Sequence, residues 1–326
     1  MSANPTTAYL LTYSERKCTA NCGFCSQARD SKSRADMLSR VTWPTFATRE
    51  VLSKLETAAE RRMVKRVCVQ TLNYPAVLKE LLALVVELRR MKVDIPVSVS
   101  YQPLNKEGMV KLRQAGVERI SIPLDAATED AFKRVKGSFT GGPYDWDRQH
   151  EALLEAVEVF SRGRVSTHLI VGLGETEKEM MESTQWCVDN GIYPALFSFT
   201  PVPGTSLEHH ASPTIRHYRR IQLARHLIVS GKVRMDKMSF DVKGSIIDFG
   251  ASQAELNKTI RSGCPFVTSG CPDCNRPYYN EKAGGPLFNY PTQPTSEEIQ
   301  EIEKELGEES RHTRPLAKHA SFAPSS

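Results

Sequence analysis

Residues 7–25 read Thr7-Ala8-Tyr9-Leu10-Leu11-Thr12-Tyr13-Ser14-Glu15-Arg16-Lys17-Cys18-Thr19-Ala20-Asn21-Cys22-Gly23-Phe24-Cys25. Thr7–Tyr13 has the β-branched and aromatic character of a strand. The polar loop behind it carries three cysteines in the spacing Cys-x3-Cys-x2-Cys. Three thiolates on one short loop can hold three corners of a four-iron cluster and leave the fourth iron without a protein ligand. Zinc would want a fourth Cys or His close by, and Ser14–Arg40 contains none beyond these three. Zinc and three buried thiols are the plainer alternatives.

Strand-like runs alternate with helix-like runs outward from this stretch. The strands expected after the first are Arg66–Thr71, Pro96–Tyr101, Arg119–Leu124, Val165–Val171 and Ala195–Thr200. Leu78, Leu81, Leu82, Val85 and Leu88 mark one helix between them by their spacing. Leu153, Val157 and Phe160 mark another, with Gly163 placed to cap it, and Met180, Thr184, Cys187 and Val188 a third, closed by Gly191. Six β–α pairs predict an α/β fold with a parallel sheet. Six rather than eight predict a partial (β/α)6 TIM-like barrel, with reacting groups at the C-terminal strand ends, where the first cysteine loop falls. The expected division is a barrel over 1–231 and a loop-rich, cluster-binding C-terminal extension over 232–326. The extension holds a helix at 295–306, opened by a Thr295–Glu298 capping box, and a loose tail after Arg311.

The chain has 326 residues, 40% hydrophobic and 25% charged, enough to bury a core without staples and incompatible with bulk disorder, collagen or coiled coil. Its net charge of +5 suits an acidic partner and is too small to argue for nucleic acid. No apolar run approaches the ~18–20 residues of a membrane span. Met1–Thr7 has no basic segment leading into an apolar one, so a cytoplasmic protein without a membrane is expected.

Eight cysteines in such a chain are better read as ligands than as disulfides. Beyond the first three, Cys264-x6-Cys271-x2-Cys274 forms a second group. It admits an auxiliary iron–sulfur cluster, a zinc knuckle completed from elsewhere, or unligated thiols. Cys68 and Cys187 stand alone and read as core thiols. His209 and His210 read as a solvated pair, and His168 as a satisfied barrel histidine ahead of a catalytic one. Arg276, Tyr278, Tyr279 and Asn280 adjoin the second group and either orient substrate or pack the loop.

The first triplet, with Phe24 before its last cysteine, resembles the radical S-adenosylmethionine (SAM) superfamily, and the likeness runs over roughly residues 7–231. Ile120-Ser121-Ile122-Pro123-Leu124-Asp125-Ala126-Ala127 is similar to the biotin-synthase-like branch. Gly172-Leu173-Gly174-Glu175-Thr176 resembles the family's adenine-side glycine motif, and Thr200-Pro201-Val202-Pro203-Gly204-Thr205 its Pro-x-x-Gly-Thr turn. The family's Gly-Gly-Glu is replaced by Gln70-Thr71-Leu72-Asn73. The resemblance implies a [4Fe–4S] cluster on Cys18, Cys22 and Cys25 whose open iron binds SAM. Reductive cleavage then yields a 5′-deoxyadenosyl radical, and an electron donor of flavodoxin or ferredoxin type is needed. It further implies SAM contacts from Phe24, Gln70, Asp125, Gly172, Gly174 and Glu175. A tight βα turn is the alternative for the glycines, and an ordinary helix N-terminal carboxylate for Asp125 and Glu175.

Cys271-Pro272-Asp273-Cys274-Asn275-Arg276-Pro277-Tyr278-Tyr279-Asn280-Glu281, followed by Gly285-Pro286-Leu287-Phe288-Asn289-Tyr290-Pro291, resembles the archaeal-type two-protein lipoyl synthases. That resemblance implies a sulfur-inserting transferase with a sacrificial second [4Fe–4S] cluster on Cys264, Cys271 and Cys274. The implied substrate is an octanoyl chain on a carrier protein or peptide, and the implied partner a paralogous radical SAM protein. Two alternatives stand beside it. One is a biotin-synthase-like or methylornithine-synthase-like enzyme whose second cluster is structural or passes electrons, and the other is a cluster carrier without catalysis.

Overall fold

The computed structural model describes residues 3–102, 105–277, 279, 281 and 285–307. Tyr278, Asn280 and the tail expected after Arg311 lie outside them. β1 (Thr7–Leu11) leads into the cysteine loop, then a hairpin of β2 (Met37–Leu38) and β3 (Val41–Thr42), then α1 (Thr48–Glu60). There follow β4 (Arg66–Gln70), α2 (Val77–Arg89), β5 (Val97–Ser100), α3 (Lys106–Gln114), β6 (Arg119–Ser121), α4 (Glu129–Val135) and α5 (Trp146–Phe160). The alternation closes with β7 (Val165–Val171), α6 (Glu177–Asp189), β8 (Ile192–Ser198) and α7 (Ile215–Val229). Beyond it lie a second hairpin, β9 (Ser239–Phe240) and β10 (Ile246–Asp248), then α8 (Gln253–Arg261) and α9 (Ser296–Gly307).

The six long strands form one parallel sheet in the order β1-β4-β5-β6-β7-β8. Among the described residues β1 and β8 each pair on one side only, so the sheet is an open, partial barrel, as the six β–α pairs predict. Its helix-facing positions, among them Val67, Val69, Val97, Val99, Ile120, Leu169 and Val171, are buried. They pack against the apolar stripes of the surrounding helices, such as Leu81, Val85 and Leu88 of α2. The alternate positions face inward. A barrel of this type usually fills its interior with bulky branched side chains. Here Ser98, Ser100, Ser121 and Ser166 line the lumen, and a cavity of about 220 Å³ remains. Among the described residues no helix is long and apolar enough to cross a membrane.

Some boundaries differ from expectation for identifiable reasons. β8 begins at Ile192, three residues early, and runs through Pro194, which pairs with Thr167. As an edge strand it has no second neighbour that would need the missing N–H. α5 ends at Phe160 with Ser161, not Gly163, in the first left-handed position (φ 74°), while Gly163 (φ 78°) turns the chain into β7. Gly191 does close α6, its N–H donating to Val188 O at 3.0 Å. α9 starts with the expected reciprocal cap: Glu298 N donates to Thr295 Oγ1 and Thr295 N to Glu298 Oε2. Cys187 is fully buried on the inner face of α6.

One buried carboxylate ties the late hairpin to the barrel. Glu177, at the start of α6, accepts from Arg220 Nε at 2.8 Å and Nη2 at 3.1 Å, and from Ile246 N at 2.6 Å. Burial alone would raise its pKa, but the His217, Arg220 and Ile246 donors prevail and bring it from 4.5 to about 2. A depressed carboxyl stabilises the fold above its unfolded pKa and loses that contribution as pH falls through the folded value. Glu177→Gln should therefore cost about 2–3 kcal/mol at pH 7. In urea titrations the gap to wild type should shrink below about pH 4.5 and close near pH 2. A gap that does not change with pH would contradict this role.

Candidate functional site

The first cysteine loop is fixed by backbone bonds before any ligand is considered. Cys18 N donates to Gln27 O at 3.0 Å, Arg29 N to Ala20 O at 2.8 Å, and Gly23 N to Val135 O at 2.7 Å. Lys17 Nζ gathers the carbonyls of Ser26, Ser31 and Ser33 at 3.0, 2.7 and 2.7 Å, pinning the loop beside the thiols. A Cβ at residue 23 would stand 2.8 Å from Ser206 Oγ, so the close approach calls for glycine. Asn73 N donates to Cys18 Sγ at 3.1 Å, which brings the loop after β4 against the first cysteine. Burial pushes the Cys25 thiol up to about 12 and Cys22 well above its ordinary value, the latter opposed by the nearby Lys136 ammonium.

Lys136 belongs to no sequence pattern, yet the fold brings its ammonium close enough to act on the Cys22 thiol. It is fully buried and donates to Asp125 Oδ2 at 2.7 Å and Pro123 O at 2.5 Å. Asp125 itself sits at φ 67° and is held by Asp125 N to His168 O and Ile170 N to Asp125 O, both 2.8 Å. Its carboxylate faces the lumen but is engaged by Lys136.

The other residues expected at SAM divide by location. Phe24 and Gln70 line the lumen, with Gln70 Nε2 donating to Cys68 Sγ at 3.2 Å. Gly172, Gly174 and Glu175 form the rim after β7, outside the lining of this cavity. Glu175 folds back on that rim, accepting from Gly172 N at 2.7 Å and Leu173 N at 2.9 Å. Gly172 (φ 102°) leaves no space for a side chain, since a Cβ would lie 2.8 Å from Pro213. Of the histidine pair, His209 is solvated, but His210 Nε2 bonds Gly172 O at 2.9 Å and braces the same turn.

At the opposite, N-terminal end of the strands, the segment 269–276 closes the lumen. Thr6 Oγ1 and Thr7 Oγ1 donate to Asp273 O at 2.6 and 2.9 Å, and Arg66 Nε to Pro272 O at 3.0 Å. Leu196 N donates to Ser269 Oγ at 2.8 Å. Cys271 and Cys274 thereby join the wall of the cavity that Cys18, Cys22 and Cys25 line from the other end. Cys68 lines it too, and burial, with Cys271 and Cys274 adding, pushes its thiol up to about 12. Cys264 is exposed and lies outside this lining.

Three side chains occupy the space between the two ends. His168 packs on Phe197 at 4.8 Å, and burial lowers its pKa to about 4 against the pull of Asp125. The Arg276 guanidinium stacks over Phe197 at 4.0 Å. Tyr279 lines the same cavity, and burial first and Cys25 next push its hydroxyl up.

The donor chemistry fits a cluster with a polar ligand. Ser121 Oγ and Gln102 Oε1 line the cavity, buried and without a partner among the described residues, as a polar guest would require. Among the described residues no three of His, Cys, Asp and Glu close around one ion.

The sequence model of the Radical SAM superfamily matches residues 14–187. The biotin synthase of Hydrogenobaculum sp. (strain Y04AAS1) is 25% identical over 199 residues, 59% of this chain and 55% of that protein. Among solved structures, methylornithine synthase superposes with a TM-score of 0.54 at 14% identity, over 70% of this chain and 64% of that one. The FeFe-hydrogenase maturase HydG from Carboxydothermus hydrogenoformans gives 0.53 at 16% identity, over 70% and 52%. At these identities the structural likeness is one of fold, and the chain spans less than two thirds of each of these relatives. With more than half of its length inside that sequence model, the chain belongs to the radical SAM superfamily, and membership implies a [4Fe–4S] cluster and SAM.

Proposed function

We propose that this chain is a radical SAM enzyme that replaces hydrogen with sulfur at an unactivated carbon, acting on an octanoyl chain borne by a carrier protein. The observation that carries the reading is the single cavity walled by the first cysteine set at one end and by Cys271 and Cys274 at the other. A substrate carbon lying in that lumen is held between a hydrogen-abstracting centre and a sulfur-bearing one. When bound, the cluster and SAM supply abstraction of hydrogen from a C–H bond that no side-chain base could deprotonate near neutral pH. The sulfur is assigned to a second, sacrificial [4Fe–4S] cluster.

The chain's own residues confine and position. His168, neutral above about pH 4, and the protonated Tyr279 carry no charge, and the Arg276 guanidinium beside them is held against Phe197 and Ser269 O. Phe197, Ile170 and Leu11 supply apolar wall. Alignment in such a site replaces the entropy a free encounter would lose. A groove of about 1990 Å³ runs along the free edge of β1 and shares Tyr9, Leu11, Trp43, Leu72, Arg276 and Tyr279 with the lumen. A chain on a carrier's lysine arm can enter there while the carrier stays outside, and a net charge of +5 favours an acidic carrier. A paralogous radical SAM protein and a flavodoxin- or ferredoxin-type donor complete the proposed set of partners.

The reconstituted protein, given reductant, SAM and an octanoyl-lysine peptide, should yield peptide carrying one added sulfur, read by mass spectrometry. Cleavage of SAM with a sulfur-free product would overturn sulfur insertion and leave the second set to structure or electron transfer, the reading that the biotin-synthase-like alternative carries.

A further inference from the structure

We infer that the second iron–sulfur site is built by Cys68, Cys271 and Cys274, and that Cys264 takes no part in it. The inference gives the second cluster of the proposed function its ligands, and its test involves no substrate, so the two fail separately.

Tyr9, Cys68 and Ser98 are direct partners across β1, β4 and β5, so all three point into the lumen side by side, with strands about 4.8 Å apart. The returning loop sets one cysteine over each flank of this row. Cys274 Sγ shares a 3.4 Å hydrogen bond with Tyr9 Oη, and Ser98 Oγ lies 3.5 Å from Cys271 Sγ. Cys68 occupies the middle position, between the two loop thiols. A strand thus contributes one sulfur from a rigid wall and a loop contributes two from above it, which is a three-point cradle.

The loop is held in place for this. Arg66 is almost fully buried and spans the gap, donating to Pro272 O and Ser98 Oγ while pairing with Glu118 at 2.8 Å. On either side of Cys274, Asp273 (φ 63°) and Arg276 (φ 29°) adopt left-handed backbone that non-glycine residues disfavour. Such strain persists only where surrounding contacts over-determine it. Arg276 Nη2 donates to Ser269 O at 2.6 Å, which places a fixed cation beside thiolates that a bound cluster would require.

Cys264 is anchored elsewhere. It opens a single 3₁₀ turn whose Phe266 is fully buried with Tyr290 and Ile302, away from the sheet interior. Phe266 N is tied to Gly263 O at 3.0 Å, and Tyr290 N to Phe266 O at 2.9 Å. Bringing Cys264 into the lumen would pull Phe266 out of that cluster.

The test is iron and acid-labile sulfide per chain after anaerobic reconstitution of the full protein, with Mössbauer spectra. Wild type should bind about eight irons, and a Cys18→Ala/Cys22→Ala/Cys25→Ala variant about four. In that background Cys68→Ala should remove the remaining four, and Cys264→Ala should leave them. A loss with Cys264→Ala, four irons retained with Cys68→Ala, or zinc in place of iron would each overturn the site. The Cys264→Ala arm does not depend on Cys68→Ala folding. A second measurement on intact wild type should find Cys264 alkylated by iodoacetamide in the reconstituted state, and a protected Cys264 would equally count against it.

Discussion

Replacement of Cys22 by alanine will abolish formation of 5′-deoxyadenosine from SAM and remove about four irons per chain. Cys22 is the most enclosed of the three loop thiols, 8% exposed, and stands where the loop passes nearest to Lys136. A three-thiol loop has no spare ligand, so loss of the middle one leaves two corners and no stable cluster. The same loop is closed by bonds that do not involve the thiol. Gly23 N to Val135 O, Leu207 N to Gly23 O and the three carbonyls on Lys17 all persist in the variant. Truncating one cysteine to alanine therefore leaves the fold intact, and the melting temperature should move by only a few degrees. Iron analysis and chromatography of the nucleoside under strong reduction separate these effects. Continued SAM cleavage by a folded Cys22→Ala protein would remove the first triplet from the chemistry.

How much of this was legible in the sequence depends on the range of the interaction. Helix and strand periodicities are local, and they located the six strands of the sheet to within three residues, the largest misses being the start of β8, which Pro194 concealed, and the end of β6, which stops at Ser121. The first triplet was legible because all three sulfurs lie on one loop. Cys68 was not. A lone cysteine in an apolar strand reads as core, and nothing near it announces a loop that returns some two hundred residues later to set Cys271 and Cys274 beside it. Sequence proximity groups Cys264 with those two, whereas the fold leaves it exposed and outside the cavity they line. Glu175 shows a different limit: the resemblance implied a SAM contact, and the fold turns the carboxylate onto the neighbouring N–H groups of Gly172 and Leu173, an arrangement that no local pattern announces. Lys17 and Lys136 belong to no pattern, since a lysine that binds backbone carbonyls or a distant carboxylate looks like any surface lysine until the chain is folded.

Lys136 gives the second large effect. Its ammonium is wholly buried, bonded to Asp125 and to Pro123 O, and lies 5.1 Å from the Tyr144 ring and 5.8 Å from that of Phe132. Removing either member of a buried pair leaves the other charge without compensation, at a cost of about 3–5 kcal/mol. Asp125→Asn and Lys136→Met should each show that loss in urea denaturation at pH 7. Replacing both at once removes the stranded charge, and a well-packed neutral pair is often no less stable than the ion pair it replaces. The Lys136→Met/Asp125→Asn protein should therefore lie within about 1–2 kcal/mol of wild type, less than either single change costs, which marks the two sites as coupled. Function should not recover with stability. Cys22 must be a thiolate to ligate iron, burial opposes that, and Lys136 is the cation that offsets the burial. The double variant should fold yet hold less iron at the first triplet and cleave SAM slowly. Costs that merely add would show that the two charges are not coupled, and full SAM cleavage in the double variant would show that the pair serves the fold alone.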